Sequence, residues 1–165
     1  MSTALTVAAT RSISATLTDA ENQIVQQAIS IVTERLFQRG KPVGNPREVQ
    51  DYLRLTLMAE KRETFGVLFL DAGHRPIAFE ILSCGTLTHA QVYPREVMER
   101  VLFHNAESII LAHNNPSGRC ESPSTADELV TRRLQEMLAM IDVKILDHFV
   151  IGEDTSYSFA EHGLL

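Results

Sequence analysis

Residues 107–127 read ESIILAHNNPSGRCESPSTAD. Ile109 to Ala112 form a short apolar run with the look of a buried strand, and the run stops at His113. Polar and turn-forming residues follow as far as Pro123. Ser124 then has the place of a helix N-cap, with Asp127 three residues on. A buried strand that leads through a polar loop into a capped helix is a unit of layered α/β domains.

The pattern extends in both directions. Downstream of Ser124, a long helix is expected with Leu129, Leu134, Met137 and Leu138 facing inward, then a strand from Val143 to Val150 and a short edge strand at Tyr157 to Phe159. Upstream, Phe65 to Leu70 is nearly all apolar, as in a central strand covered on both faces. The turn DAGHRP leads from it to a second strand near Ile77 to Leu82, and Pro94 starts a helix with Val97, Val101 and Leu102 inward. Asn45-Pro46 opens an earlier helix whose inner face is Val49, Tyr52, Leu53 and Leu57. The first helix begins at a capping box, Thr18 with Glu21, carries Ile24, Ala28, Ile31, Val32 and Leu36 at helical spacing, and is stopped by Gly40. The expected fold is an α/β three-layer α/β/α sandwich with a mixed sheet. Residues 1–17, rich in Ser, Thr and Ala, are expected to be a mobile tail, 18–44 a helix and loop, and 45–165 the main domain.

Composition narrows the function. The chain has 165 residues, 44% of them hydrophobic, which suits one globular domain with a proper core. A formal charge of −6 counts against general phosphate attraction, so direct nucleic-acid binding is not expected. Cys84 and Cys120 form no Cys-x-x-Cys pair and suit a reducing compartment. No window reaches the roughly 20 apolar residues of a membrane span, and no basic leader precedes an apolar core. A cytoplasmic location is expected. Gly-x-Gly-x-x-Gly and Walker-type loops are absent, which removes support for nucleotide binding.

The chemistry is concentrated around His113. His113 and Asn115 are two residues apart, and extended geometry would point both to one side. Ser124 and Asp127 share one face of a helix start. A strand end and a helix start arranged in this way can close around one small ion. Plainer readings stand beside this one. Ser124 and Asp127 are equally an ordinary capping pair, His113 a hydrogen-bonded structural histidine, and HNNPSG an Asn/Pro/Gly turn. His148, in Asp147-His148, either supports the site or merely orients a strand, and the structural reading is favoured.

Five stretches in order, FLDAGHRPI, SCGTLTHAQVYPREV, HNNPSG, the Ser124-x-x-Asp127 pair and LDHFVIG, resemble the RadC-like branch of the JAB/MPN-domain metalloproteases, which carry a JAMM motif. The resemblance covers roughly residues 45–165. The helix-hairpin-helix domain common upstream in full-length members has no counterpart in this reading.

This resemblance implies a zinc hydrolase with a deaminase-like α/β/α sandwich, acting on a peptide or isopeptide bond of a protein substrate. It also brings the family's traditional DNA-repair label. Carried over by position, His113 and Asp127 are metal ligands and Glu63 is the general base. Ser124 supports water or the developing oxyanion. The sequence departs from the pattern in two places. Asn115 stands where the family has its second histidine, and eight residues, Pro116 to Pro123, precede Ser124 where the family has seven. Tyr93 before Pro94 also replaces a histidine common in relatives. An asparagine offers zinc only a neutral oxygen, so the ligand set is incomplete unless the Cys120 thiolate replaces the missing imidazole. The alternatives are a catalytically degenerate module that binds a protein partner and a DNA-repair-associated protein.

Overall fold

The computed structural model describes residues 17–165 apart from 39, 59, 86–91, 117 and 119. The tail expected over 1–17 therefore lies almost wholly outside the described residues. The elements follow in the order α1 (Asp19–Leu36), α2 (Pro46–Leu57), β1 (Thr64–Leu70), β2 (Pro76–Cys84), α3 (Pro94–Phe103), β3 (Ser108–Asn114), α4 (Thr125–Ala139), β4 (Lys144–Ile151) and β5 (Ser156–Ser158).

The five strands form one mixed sheet in the order β2-β1-β3-β4-β5. β1 pairs antiparallel with both β2 and β3, β3 pairs parallel with β4, and β5 closes antiparallel on β4. Among the described residues, the only parallel pair is the one joined through α4, because a parallel return needs a crossover.

β1 and β3 are buried along their whole length, which accounts for their unbroken apolar runs. Their side chains divide by alternation. Leu68, Leu70, Ile110 and Ala112 pack with Phe149 and Ile151 of β4 against α2 and the end of α1. Phe65, Val67, Phe69, Ile109 and Leu111 pack against α3 and α4 on the other face. The result is the expected three-layer α/β/α arrangement. Gly66 leaves room for the Phe79 ring, since a Cβ there would stand 2.4 Å from it and force it to move.

Four inward assignments are corrected. Ile24 and Ile31 are exposed on α1, where only Leu36 is buried, because α1 rests on α2 rather than on the sheet. Leu102 is exposed on α3, whose inward residues are Val97 and Val101. Leu129 is exposed on α4. The buried face of α4 runs through Thr131, Leu134 and Leu138, a helical repeat that passes back through Asp127 one turn earlier. A polar threonine thus takes an inward position that apolar periodicity alone assigns to leucine. Among the described residues, no helix is long and apolar enough to cross a membrane.

Candidate metal centre

The ends of β3 and β4 and the start of α4 meet at one corner of the sheet. β3 delivers His113, only 5% exposed, opposite Val150 of β4 and Phe65 of β1. α4 starts at Ser124, whose Oγ accepts the Asp127 N–H at 3.2 Å. In return, Asp127 Oδ2 accepts the Ser124 hydroxyl at 2.7 Å and the Ser124 N–H at 2.8 Å. This reciprocal capping box satisfies orphan amides and fixes the Asp127 carboxylate. It also leaves Asp127 Oδ1 facing His113 Nε2 at 3.3 Å.

Behind His113 lies a second histidine. His113 Nδ1 is 2.9 Å from Nε2 of His148, which is fully buried. His148 Nδ1 is 2.7 Å from the Thr131 hydroxyl, which lies 2.6 Å from the carbonyl oxygen of Asp127. The Phe159 ring stacks on His148 at 4.7 Å between centroids. Burial pushes His148 well below the usual imidazole range, and His113 beside it pushes in the same direction. Burial also lowers His113, opposed by the Asp127 charge. Both rings therefore favour the neutral form. His148 does more than orient a strand, because it holds the back of His113.

Glu63 sits one residue before β1, partly buried, and its carbonyl accepts the Gly85 N–H at 2.8 Å. The segment that carries it is held by Asn114. The Asn114 Oδ1 accepts the buried Thr64 N–H at 2.6 Å, and its Nδ2 donates to the carbonyls of Glu60 and Arg62 at 3.0 and 3.1 Å. Asn115 lies one residue beyond β3, with its N–H held by the Ile151 carbonyl at 2.7 Å. It borders a small cleft with Met58, Glu60, Gly152 and Glu153.

Cys120 is 4% exposed and packs with Val150 and Phe159. Burial, with the Asp127 charge adding to it, pushes its thiol up to about 11. A buried thiol held in that state is a poor source of thiolate. Among the described residues, no three of His, Cys, Asp and Glu cluster as a metal site, so Cys120 does not complete a set with His113 and Asp127.

The pair fits zinc in its spacing. Two ligands roughly 2.0–2.1 Å from one ion, at a tetrahedral angle, stand about 3.3 Å apart. His113 Nε2 and Asp127 Oδ1 have that separation. It is longer than the roughly 2.8 Å of a charge-assisted hydrogen bond. His113 and Asp127 are of residue types that bind zinc well, and Asn115, two residues after His113, carries only an amide.

Three residues of this corner take their roles from the fold rather than from local sequence. Asn114 was masked by its neighbours His113 and Asn115, although its position at a strand end marks it as a clamp. Thr131 is found only from its spacing of four after Asp127. His148 was visible within LDHFVIG, but its contact with His113 depends on the parallel pairing of β3 and β4.

A family model described as a RadC-like JAB domain matches residues 43–164. A UPF0758 protein of Nitrosomonas eutropha is 50% identical over 142 residues, which cover 86% of this chain and 62% of that protein. One from Leptothrix cholodnii is 53% identical over 143 residues, covering 86% and 63%. One from Pseudomonas fluorescens is 49% identical over 140 residues, covering 85% and 62%. The chain thus spans less than two thirds of the length of these relatives. The matched region takes in the sheet, α2 to α4 and every residue of the corner just described, and the chain belongs to the RadC-like JAB domain family.

Proposed function

We propose that this chain carries a single-ion zinc centre of the metallopeptidase class, directed at a peptide or isopeptide bond and weakened by Asn115. The observation that supports it is the 3.3 Å approach of His113 Nε2 to Asp127 Oδ1, two good ligand atoms at the spacing of a shared tetrahedral ion. His113 and Asp127 would hold zinc, with the Asn115 amide oxygen as a poor third donor. When bound, zinc would supply a Lewis acid for the scissile carbonyl and for water.

The chain's own residues supply the rest. Glu63 takes a proton from water and returns it to the leaving amine, and the Asn114 clamp holds the segment that carries it. The Ser124 hydroxyl donates a hydrogen bond to Asp127 Oδ2, so its contribution is to orient the carboxylate. The net charge of −6 favours a protein or peptide partner over direct nucleic-acid contact.

A second reading is a module that binds a protein partner without turnover. It is favoured by the lack, among the described residues, of a third His, Cys, Asp or Glu placed to share an ion with the pair. The two readings separate in a cleavage assay on isopeptide-linked and linear peptide substrates with added zinc. Slow cleavage that Asn115→His accelerates and Glu63→Gln abolishes supports the hydrolase. Absence of cleavage in both the unaltered chain and Asn115→His supports the binding module.

A further inference from the structure

A cavity of about 340 Å³ lies between the start of α2 and the sheet, on the opposite face from α3 and α4. None of His113, Asn115, Ser124 and Asp127 lines it. Its volume falls at the small end of the range for small-molecule sites. The walls are mostly apolar: Val43, Val49, Leu70, Ile110, Leu146 and Phe149. One side is fixed by the backbone. His74, which also borders the cavity, has a φ of 54° in the turn between β1 and β2, and its carbonyl accepts the Val43 N–H at 2.8 Å.

Two acidic residues interrupt these walls, Asp147 and Glu161. The first is brought there by an irregularity in β4. Ile109 pairs with Ile145 but Ile110 pairs with Asp147, so Leu146 is an extra residue, and both it and Asp147 border the cavity. Asp147 is only 8% exposed, and three donors hold its carboxylate in place. Oδ1 accepts the N–H groups of His148 and Ala160 at 2.7 and 3.0 Å, and Oδ2 accepts the Ser158 hydroxyl at 2.7 Å. One acceptor position on Oδ2 is left over. Among the described residues, no basic side chain forms an ion pair with Asp147 or Glu161. Buried charges are ordinarily paired, so the cavity has the electrostatics of a cation site. An anion finds no counterpart here. Pro46, at the first position of α2, has no N–H, and those of Arg47 and Glu48 are taken by the Asn45 side chain and carbonyl at 2.9 and 3.0 Å.

We infer that this cavity is a binding site for a small organic amine, with its apolar body against Val49, Leu70, Ile110 and Phe149 and its ammonium group at Asp147 and Glu161. The apolar walls supply affinity by removing the ligand body from water. The two carboxylates supply selectivity, because a charge-assisted hydrogen bond to Oδ2 rewards a cation and a second negative charge there is repelled. A ring or branched body fills such a space better than the linear stem of a lysine. The inference is independent of the zinc centre, which shares none of these residues.

The test is carbon-13 methyl NMR of the full chain during titration with three probes that share a phenyl body: 2-phenylethylamine, 2-phenylethanol and 3-phenylpropionate. The amine is expected to give saturable shifts at the Leu70, Ile110 and Leu146 methyls, with a Kd of about 1 mM or tighter. The alcohol and the carboxylate should bind at least about tenfold more weakly, the scale of one charge-assisted hydrogen bond. Glu161→Gln, at an exposed position, should weaken the amine about threefold. Ala160→Phe, which fills the cavity from an exposed wall residue, should abolish the shifts. Nα-acetyl-lysine methylamide, with the same charge on a linear stem, should bind more weakly than 2-phenylethylamine. Equal affinity for amine and alcohol, shifts that map away from these methyls, or amine binding unchanged in Glu161→Gln and Ala160→Phe would overturn the inference. Tighter binding of the lysine derivative would overturn the small-amine assignment in favour of a peptide lysine.

Discussion

The Asn114 side chain grips Thr64: its Oδ1 accepts the Thr64 N–H at 2.6 Å, with both residues buried. The same amide donates to the carbonyls of Glu60 and Arg62, so one side chain secures the turn between α2 and β1. Glu63 lies inside the secured turn, and His113 precedes Asn114 on β3. The proposed base and the proposed ligand are therefore tied through adjacent residues.

Asn114→Ala removes three hydrogen bonds and leaves the buried Thr64 N–H unpaired. The expected loss is about 2–3 kcal/mol of stability, read from urea denaturation. Any hydrolytic activity should fall further than stability predicts, since Glu63 loses its anchor. A variant as stable as the parent would show that the clamp is dispensable.

Much of this architecture was legible in the sequence, for identifiable reasons. Capping residues Thr18, Asn45 and Ser124 locate three helix starts to the residue. Uninterrupted apolar runs identify β1 and β3, because both faces of these strands are covered. The inward faces of α1 and α4 were misread where apolar spacing was not matched by an apolar neighbour. Ile24 and Ile31 have helical spacing but no sheet beneath them, whereas Thr131 is polar and buried because His148 receives it. The candidate site followed the same division. His113, Ser124 and Asp127 announce themselves through local motifs, while the His148 and Thr131 contacts arise only when β4 pairs beside β3.

The Glu80 cluster predicts an acid-sensitive component of stability. Arg100 donates from Nε and Nη2 to the two Glu80 oxygens at 2.6 Å each, and His104 Nε2 lies 2.8 Å from Oε1. The Arg100 hydrogen bonds, aided by His104, hold the Glu80 carboxyl at about 2, below its ordinary 4.5. A lowered folded value means that the stabilisation is present above 4.5 and is lost as pH falls toward 2. Arg100→Met should lower stability at neutral pH, and the gap between variant and parent should narrow below 4.5. Denaturation series at pH 7 and pH 3 measure it. A gap that is constant with pH would show that packing, not charge, dominates.

Cys120 should behave as a buried thiol. At pH 8, an alkylating reagent is expected to modify exposed Cys84 readily and Cys120 slowly, given a thiol pushed up to about 11. Cys120→Ala should leave zinc affinity within about twofold of the parent. A tenfold or larger loss would restore the thiolate as a ligand.

The central claim is a zinc centre on His113 and Asp127 that Asn115 leaves one strong ligand short. Calorimetric zinc titration of the unaltered chain, Asn115→His and Asp127→Ala tests it most directly. The account predicts weak binding in the unaltered chain, a gain of at least about tenfold in Asn115→His, and loss of binding in Asp127→Ala. Equal affinity in the unaltered chain and Asn115→His, or affinity that survives Asp127→Ala, would contradict it.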